Sequence, residues 1–186
     1  MKIINIVFAM DWPTLDRALR RLKRTRCPHC GRIGTLNRHD TMKGNDWGAD
    51  GKQRIRGRRA WCSNRGRRKG CGRTTAFVLA DVLPRHGVRA PMLGRLLDGL
   101  RRGGSVSRTW NRGGFAAPIE TFYHILQRLR RRLDTVRTTL CRICPPPLSS
   151  HSDPLRQTAE HLRCAFPTAP CAVEAFQHAF QTPFMG

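Results

Sequence analysis

Residues 61–74 read WCSNRGRRKGCGRT, and this stretch decides how the chain can fold. Its two cysteines, Cys62 and Cys71, enclose eight residues, of which four are cationic. Zinc knuckles commonly hold their two cysteines only two to four residues apart. The pair is therefore either no metal knuckle at all or a knuckle opened by an insertion.

A pair with the usual spacing lies upstream, in Cys27-Pro28-His29-Cys30-Gly31. Two intervening residues let both thiolates face one ion, and the glycine that follows frees the backbone for the knuckle turn. The first 140 residues contain only two further cysteines, and Cys71-Gly72 repeats the Cys-Gly ending. We therefore expect one structural zinc ion bound by Cys27, Cys30, Cys62 and Cys71. His29 and His39 are the alternative ligands, and four cysteines leave no open coordination position for catalysis.

The segment around these cysteines is rich in Gly, Arg and turn signals. Short strands are predicted at 33–43, 54–61 and 74–79, and the stretch 44–51 has the composition of a turn. Such a segment cannot bury enough apolar surface alone, so metal binding would supply folding free energy. These features together predict a zinc ribbon over residues 27–80.

The residues ahead of the ribbon, 1–26, contain two features. MKIINIVFAM is a short apolar run without a small-residue cleavage site, which indicates a strand or docking segment of a cytoplasmic protein rather than a signal peptide. Residues 14–24 predict a basic amphipathic helix, with leucines on one face, arginines on the other, and Pro13 suited to the first turn.

After residue 80 the pattern becomes helical. Helices are predicted at 91–102, 106–112 and 118–142, separated by Gly-Gly pairs, with Ser105 as the N-cap of the second. The predicted fold class is α+β: a small zinc-stabilised β-ribbon, then an all-α helix-turn-helix over 81–144, and a short helical tail.

The third of these helices carries an uninterrupted apolar seam. Its members are spaced alternately three and four residues apart: Ile119, Phe122, Leu126, Leu129, Leu133, Val136 and Leu140. This is the heptad spacing of a coiled coil, although the core-facing stripe of a bundled helix has it too. The rest of the sequence offers no obvious segment to cover the part of the seam beyond Leu129. One expectation is therefore a homodimer through residues 119–140.

The tail, residues 145–186, opens with three prolines, a natural linker. Two short helices are predicted near 154–164 and 171–180, and four of the eight phenylalanines lie here. The tail thus has apolar surface to bury against the body or a partner. A second zinc site is a weaker expectation than buried thiols for the remaining cysteines, Cys141, Cys144, Cys164 and Cys171, because their spacing is loose.

The ribbon motifs resemble the transposase-type zinc ribbon of bacterial insertion elements: Cys27-Pro28-His29-Cys30-Gly31, Trp61-Cys62 and Gly70-Cys71-Gly72-Arg73-Thr74. In that family the ribbon precedes a helix-turn-helix, and the resemblance covers roughly residues 27–142. Two departures are the opened second cysteine pair and the long turn at 112–118. The resemblance implies target-site DNA binding.

The family's catalytic half would be a ribonuclease-H-like domain with three metal-binding carboxylates. The last 44 residues contain only three acids, Asp153, Glu160 and Glu174, and no strand pattern. The chain also lacks a Ser/His/Asp constellation or paired carboxylates. We therefore expect DNA binding without enzyme activity, in a transposition accessory or regulatory protein.

The charge supports a polyanionic partner. The chain has 35 Lys and Arg against 12 Asp and Glu, a net charge of +23, and residues 145–186 carry a net −1. The first 144 residues therefore carry +24, a field that favours nucleic acid. We expect the phosphate backbone of the nucleic acid to be bound by cations of the inserted loop and of the second helix. These are Arg65, Arg67, Arg68 and Lys69 in the loop, and Arg108 and Arg112 in the helix. In a helix-turn-helix the last helix reads the bases, here through its outward residues Thr121, His124, Gln127, Arg128 and Arg131.

Two other functions fit the same features. An RNA- or ribosome-associated zinc ribbon would use Arg-rich loops equally well, but only Trp47 and Trp61 could stack on bases within the ribbon. A protein-interaction module could act through the heptad seam and the Phe-bearing tail. Duplex DNA is the favoured partner, and we expect no membrane association.

Overall fold

The computed structural model describes residues 5–46, 53–65 and 69–185. Within these ranges the chain has an α+β fold that combines a four-stranded mixed sheet with seven α-helices. The strands are β1 (Ile6–Ala9), β2 (Leu36–Asn45), β3 (Gln53–Cys62) and β4 (Thr74–Leu79). The helices are α1 (Trp12–Arg20), α2 (Ala90–Arg101), α3 (Val106–Gly113), α4 (Ile119–Arg130), α5 (Leu133–Leu140), α6 (Pro154–Ala165) and α7 (Ala172–Phe180). None of these described helices combines the length and the apolar sequence needed to cross a bilayer.

The strands lie in the order β1-β4-β3-β2 across the sheet. β1 runs parallel to β4, whereas β4 with β3 and β3 with β2 are antiparallel pairs. The three predicted strands are confirmed, with boundaries shifted by no more than three residues, and the N-terminal apolar run forms a strand. Most of the predicted turn, residues 47–51, lies outside the described residues.

Helix α1 covers one face of the sheet. It begins two residues earlier than predicted because the Asp11 carboxylate caps it, accepting the N–H of Thr14 at 2.7 Å. The predicted helix also ends early, and a separate 3-10 turn follows at Leu22–Arg24. The leucines of this segment are buried in the core of the sheet, together with Phe8 and Val78.

The single helix predicted over 118–142 is wrong, because the chain forms α4 and α5 with a tight turn between them. Arg132 leaves helical geometry, with φ −116° and ψ 0°, and its N–H bonds to the Leu129 carbonyl at 2.8 Å. The Arg132 guanidinium also donates to the carbonyl of Pro183 at 3.3 Å. The turn lets α5 pack against α6.

The apolar seam of α4 and α5 is buried inside the chain. Six of its seven positions are at most 7% exposed, and Ile119 is half-buried. Beyond Leu129, where the sequence offers no obvious partner, the seam shares one core with the tail through Leu133, Val136, Leu140, Leu155 and Leu162. The interior of a single chain therefore accounts for the seam that suggested a homodimer.

The tail packs against the body, and α6 and α7 confirm the two helices predicted there. Phe176 and Phe184 are almost fully buried, in a core that α2 shares. The buried Gln177 donates from Nε2 to the carbonyls of Ala80 at 2.7 Å and Val82 at 3.0 Å. The tail is thereby fixed to the chain that leaves β4.

A second tail side chain reaches the outer edge of the sheet. The Gln181 carboxamide accepts the Phe8 N–H at 2.8 Å and donates to the Phe8 carbonyl at 3.1 Å. Because β4 pairs with the other side of β1, Gln181 occupies the position that a further strand would take.

A largely buried ionic network holds β2 and β3 against the start of the helical body. Asp46, directly after β2, is 9% exposed and pairs with Arg56 of β3 at 3.0 Å and with Arg89. Arg89, the residue before α2, also binds Asp81. Two arginines and two aspartates balance one another, so removing one partner would leave a poorly solvated charge.

Replacing Leu140 with alanine tests where the seam is buried. Leu140 is fully buried, so we expect Leu140→Ala to lower the free energy of unfolding by about 2–5 kcal/mol. Urea denaturation followed by circular dichroism measures this loss, which should not vary with protein concentration. Leu148→Ala, at a fully exposed leucine, is the control and should change it by less than about 0.5 kcal/mol. If the loss of unfolding free energy became larger at lower protein concentration, the seam would instead lie between two copies.

Candidate metal centre and nucleic-acid interface

Four cysteine sulfurs meet at the end of the sheet where β3 stops and β4 begins. The Sγ atoms of Cys27, Cys30, Cys62 and Cys71 all lie within 4.8 Å of one another. The Sγ atoms of Cys27 and Cys71 are 3.7 Å apart, and those of Cys30 and Cys62 are 3.8 Å apart. Four sulfurs at about 2.3 Å from a tetrahedral zinc ion would be roughly 3.8 Å apart, whereas a disulfide requires about 2.0 Å. The four thiols are therefore spaced to hold a metal ion.

The two cysteine pairs form the same turn despite their different lengths. The N–H of Gly31 bonds to the Cys27 carbonyl at 2.8 Å, and the N–H of Gly72 bonds to the Cys62 carbonyl at 2.9 Å. Both glycines have positive φ, +71° and +68°, which residues with a side chain rarely adopt. Each Cys-Gly ending thus closes its knuckle in the same backbone conformation.

A second backbone bond also repeats in the two turns. The N–H of Cys27 bonds to the Arg32 carbonyl, and the N–H of Cys62 bonds to the Arg73 carbonyl, each at 2.9 Å. In both cases the acceptor lies two residues after the second cysteine of the pair. The eight-residue spacing in the second pair is therefore compatible with a complete knuckle.

The extra residues of the second knuckle form a loop that is closed at its base. The N–H of Gly70 bonds to the Ser63 carbonyl at 2.6 Å, and the Arg32 guanidinium donates to the Lys69 carbonyl. We call residues 64–69 the basic loop. Arg65 and Lys69 are exposed at its two ends, while the predicted contacts Arg67 and Arg68 lie outside the described residues.

The surroundings of the cluster bias one thiol toward ionisation. Burial raises the pKa of Cys62, but the Thr35 hydroxyl at 3.2 Å and the Cys71 N–H at 3.3 Å outweigh it and lower that pKa to about 7. Burial raises the pKa of Cys27 to about 12, so this thiol needs a neighbouring cation to ionise. A bound metal ion supplies that cation. Thr35, which sequence reasoning missed, precedes β2 and has no sequence signal beyond its hydroxyl.

The two histidines considered as alternative ligands lie outside the cluster. His29 Nε2 lies 3.3 Å from the carbonyl oxygen of Thr74, and the backbone N–H of His29 donates to Cys27 Sγ at 3.4 Å. His39 is exposed on β2. Among the described residues, the four cysteines are the one group of three or more potential ligands at metal-binding distance.

The cysteines of the C-terminal half are divided between two places. Cys144 and Cys164 have their Sγ atoms 3.9 Å apart. Cys171 instead lies beside Gly94 of α2, and burial raises its pKa to about 11. This arrangement does not bring the four residues of the weaker second-zinc expectation into one described cluster.

The predicted nucleic-acid contacts of the helices fall into two groups. Arg108 and Arg112 are exposed on α3 and line a cavity between α2 and α3. The others lie along α4 and just after it, where Thr121 is half-buried and the rest are exposed: His124, Gln127, Arg128 and Arg131. Burial lowers the pKa of His86, and the positive charges of Arg128 and Arg56 lower it further.

One exposed residue of α4 was missed by sequence reasoning. Tyr123 is 49% exposed, and its hydroxyl lies 3.2 Å from Ser107 Oγ on α3. This exposed side chain therefore connects the outward face of α4 to α3. The signal in the sequence was its position among the outward residues of α4, between Thr121 and His124.

Comparisons with known proteins give no relative. No family model matches the chain, and no curated protein or solved structure is significantly similar to it.

Replacing Cys71 tests whether the opened knuckle contributes a metal ligand. We expect Cys71→Ser to weaken zinc binding by more than about 100-fold. Even the loss of a residue that only hydrogen-bonds to a metal ligand lowers metal affinity by about 10–100-fold. Competition with a chromophoric chelator measures the affinity of the purified protein. Cys141→Ser, at another exposed cysteine, should keep the parental affinity. Equal affinities of the two variants would exclude Cys71 as a ligand.

Proposed function

We propose that this protein binds duplex DNA through a structural zinc ribbon followed by a helix-turn-helix. The observation that carries the proposal is the metal-spaced cysteine cluster, whose second cysteine pair encloses four cationic residues in the sequence. Two of these cations, Arg65 and Lys69, are described and are exposed beside the cluster. Phosphate oxygens are the natural partners of such charges.

The ion in the proposed ribbon is zinc. A tetrahedral set of four thiolates is typical of zinc or of iron–sulfur clusters. Sulfur separations of 3.7 and 3.8 Å fit a single ion with bonds of about 2.3 Å. The antiparallel strands β2, β3 and β4, with the cluster at one end, make up the ribbon in this proposal.

Helices α2, α3 and α4 make up the proposed helix-turn-helix. α3 packs against both neighbours, the Ser105 hydroxyl caps it by accepting the N–H of Arg108 at 3.1 Å, and Gly114 ends it in a left-handed conformation. The outward face of α4 would then enter the major groove. Gln127 suits an adenine edge, and Arg128 or Arg131 suits a guanine edge.

The charge distribution favours binding over a merely solvated surface. The first 144 residues carry +24, and like charges at this density repel one another unless a polyanion is present. In this proposal the chain acts as an accessory or regulatory protein of transposition, as its resemblance to transposase zinc ribbons implies. It recognises DNA and catalyses no reaction.

RNA is the alternative ligand to duplex DNA. Stacking on aromatic residues is a common feature of RNA modules. Trp61 lies within β3 and is only half-exposed, and Trp47 lies outside the described residues. The aromatic surface of the described ribbon therefore favours duplex DNA.

Affinity measured across a salt series tests the proposal. The zinc-loaded protein should bind a duplex with a log–log salt slope of about 0.9 for each phosphate contacted. Fluorescence anisotropy with labelled duplex DNA and structured RNA gives both affinities, and a zinc chelator should abolish DNA binding. Tighter binding of RNA than of DNA at every salt concentration would contradict the proposal.

Replacing the four cations of the basic loop separates its role from that of the metal. The combined Arg65→Ala, Arg67→Ala, Arg68→Ala, Lys69→Ala variant should keep its zinc, because the knuckle bonds lie outside these side chains. It should also bind DNA with a shallower salt slope, reduced by about 0.9 for each phosphate that the loop no longer neutralises.

The matched control replaces the three loop arginines with lysine and so keeps the charge. It should retain most of the salt slope, because phosphate contacts depend chiefly on charge. Loss of zinc in the alanine variant would show that the loop maintains the metal site instead of contacting DNA.

A further inference from the structure

A cavity of about 400 Å³ lies between α2 and α3. Four arginines line it: Arg95 and Arg102 from α2 and its C-terminal end, and Arg108 and Arg112 from α3. Arg95 and Arg102 were not among the residues expected to bind nucleic acid. The rest of the described lining is largely glycine, which leaves the guanidinium groups as its main polar side chains.

The single acid among the described lining residues does not neutralise these arginines. Asp98 accepts a hydrogen bond from Arg163 of α6 at 2.9 Å and lies 3.5 Å from Arg101. Two cations outside the cavity lining therefore already pair with this carboxylate. The net charge of the cavity stays strongly positive.

One of the four arginines is held in place. The Arg95 guanidinium donates to the Gly113 carbonyl at 3.3 Å and stacks over the Phe115 ring at 4.9 Å from its centre. For Arg102, Arg108 and Arg112 the described residues provide no side-chain partner. One fixed and three free guanidinium groups thus surround one space.

We propose that this cavity binds a phosphate group. Guanidinium groups offer paired N–H donors that match phosphate oxygens, and several of them together suit a group with two or more negative charges. The volume lies within the range of small-molecule sites. The occupant is a phosphorylated small molecule or a backbone phosphate of the nucleic acid, and both present the same oxygens.

Pyrophosphate is the probe, measured by calorimetry with the full zinc-loaded chain and no nucleic acid present. Saturable binding at one site is expected. Arg102→Gln and Arg108→Gln should each weaken it by about tenfold or more, because each removes a charged hydrogen-bond donor. Both side chains are exposed, so folding should be unaffected.

Arg20→Gln is the matched control, because it removes an equally exposed arginine that lies on α1, outside the cavity lining and the proposed DNA contacts. It should leave pyrophosphate affinity unchanged. Absence of saturable binding, or an equal loss in the control, would overturn the proposal by showing only a diffuse positive field.

Adding a short duplex distinguishes the two sources of phosphate. Displacement of pyrophosphate by the duplex assigns the cavity to the nucleic-acid backbone. Simultaneous binding of both assigns it to a small phosphorylated molecule. The inference stands apart from the proposed DNA function, since a chain that binds pyrophosphate but no duplex would contradict that function alone.

Discussion

The spacing of four sulfur atoms is the constraint on which the sheet-containing half of the structure depends. Residues 27–80 are rich in arginine and glycine, and the apolar core beneath the sheet is small. A metal ion held by Cys27, Cys30, Cys62 and Cys71 would link the segment before β2 to the end of β3 and the start of β4. Because this link joins segments that are distant in sequence, metal binding and folding of this half are expected to be coupled.

The repeated knuckle explains how an insertion can be accommodated at such a constrained place. Each half of the cluster has the same two backbone hydrogen bonds, and the bond between Ser63 and Gly70 closes the base of the basic loop. The conformation at the sulfurs is therefore set separately from the residues between them. Closing a longer loop costs little, about 0.6 kcal/mol for each doubling of its length. The repeated backbone bonds of the two knuckles thus involve none of the residues 64–69.

Features with a motif or a periodic pattern in the sequence could be predicted, and contacts without such a signal could not. The cysteine cluster follows from spacing and the Cys-Gly endings, and the strands follow from short β-prone runs between turn signals. The break at Arg132 could not be predicted, because the seam continues through it without a gap in its pattern. After the break, α5 packs on a tail helix more than ten residues away in sequence. The role of Thr35 and the grouping of four arginines likewise depend on contacts between elements that only the folded chain brings together.

The contact of Gln181 with Phe8 has a consequence for how the protein behaves in solution. An open strand edge is a template on which strands of other molecules can add, and β1 is such an edge. The carboxamide of Gln181 presents an N–H donor and a carbonyl acceptor side by side, as a peptide group does, and it pairs with both the N–H and the carbonyl of Phe8. One side chain near the end of the chain thereby blocks the pairing site. The tail therefore covers part of one edge of the sheet as well as completing the helical core.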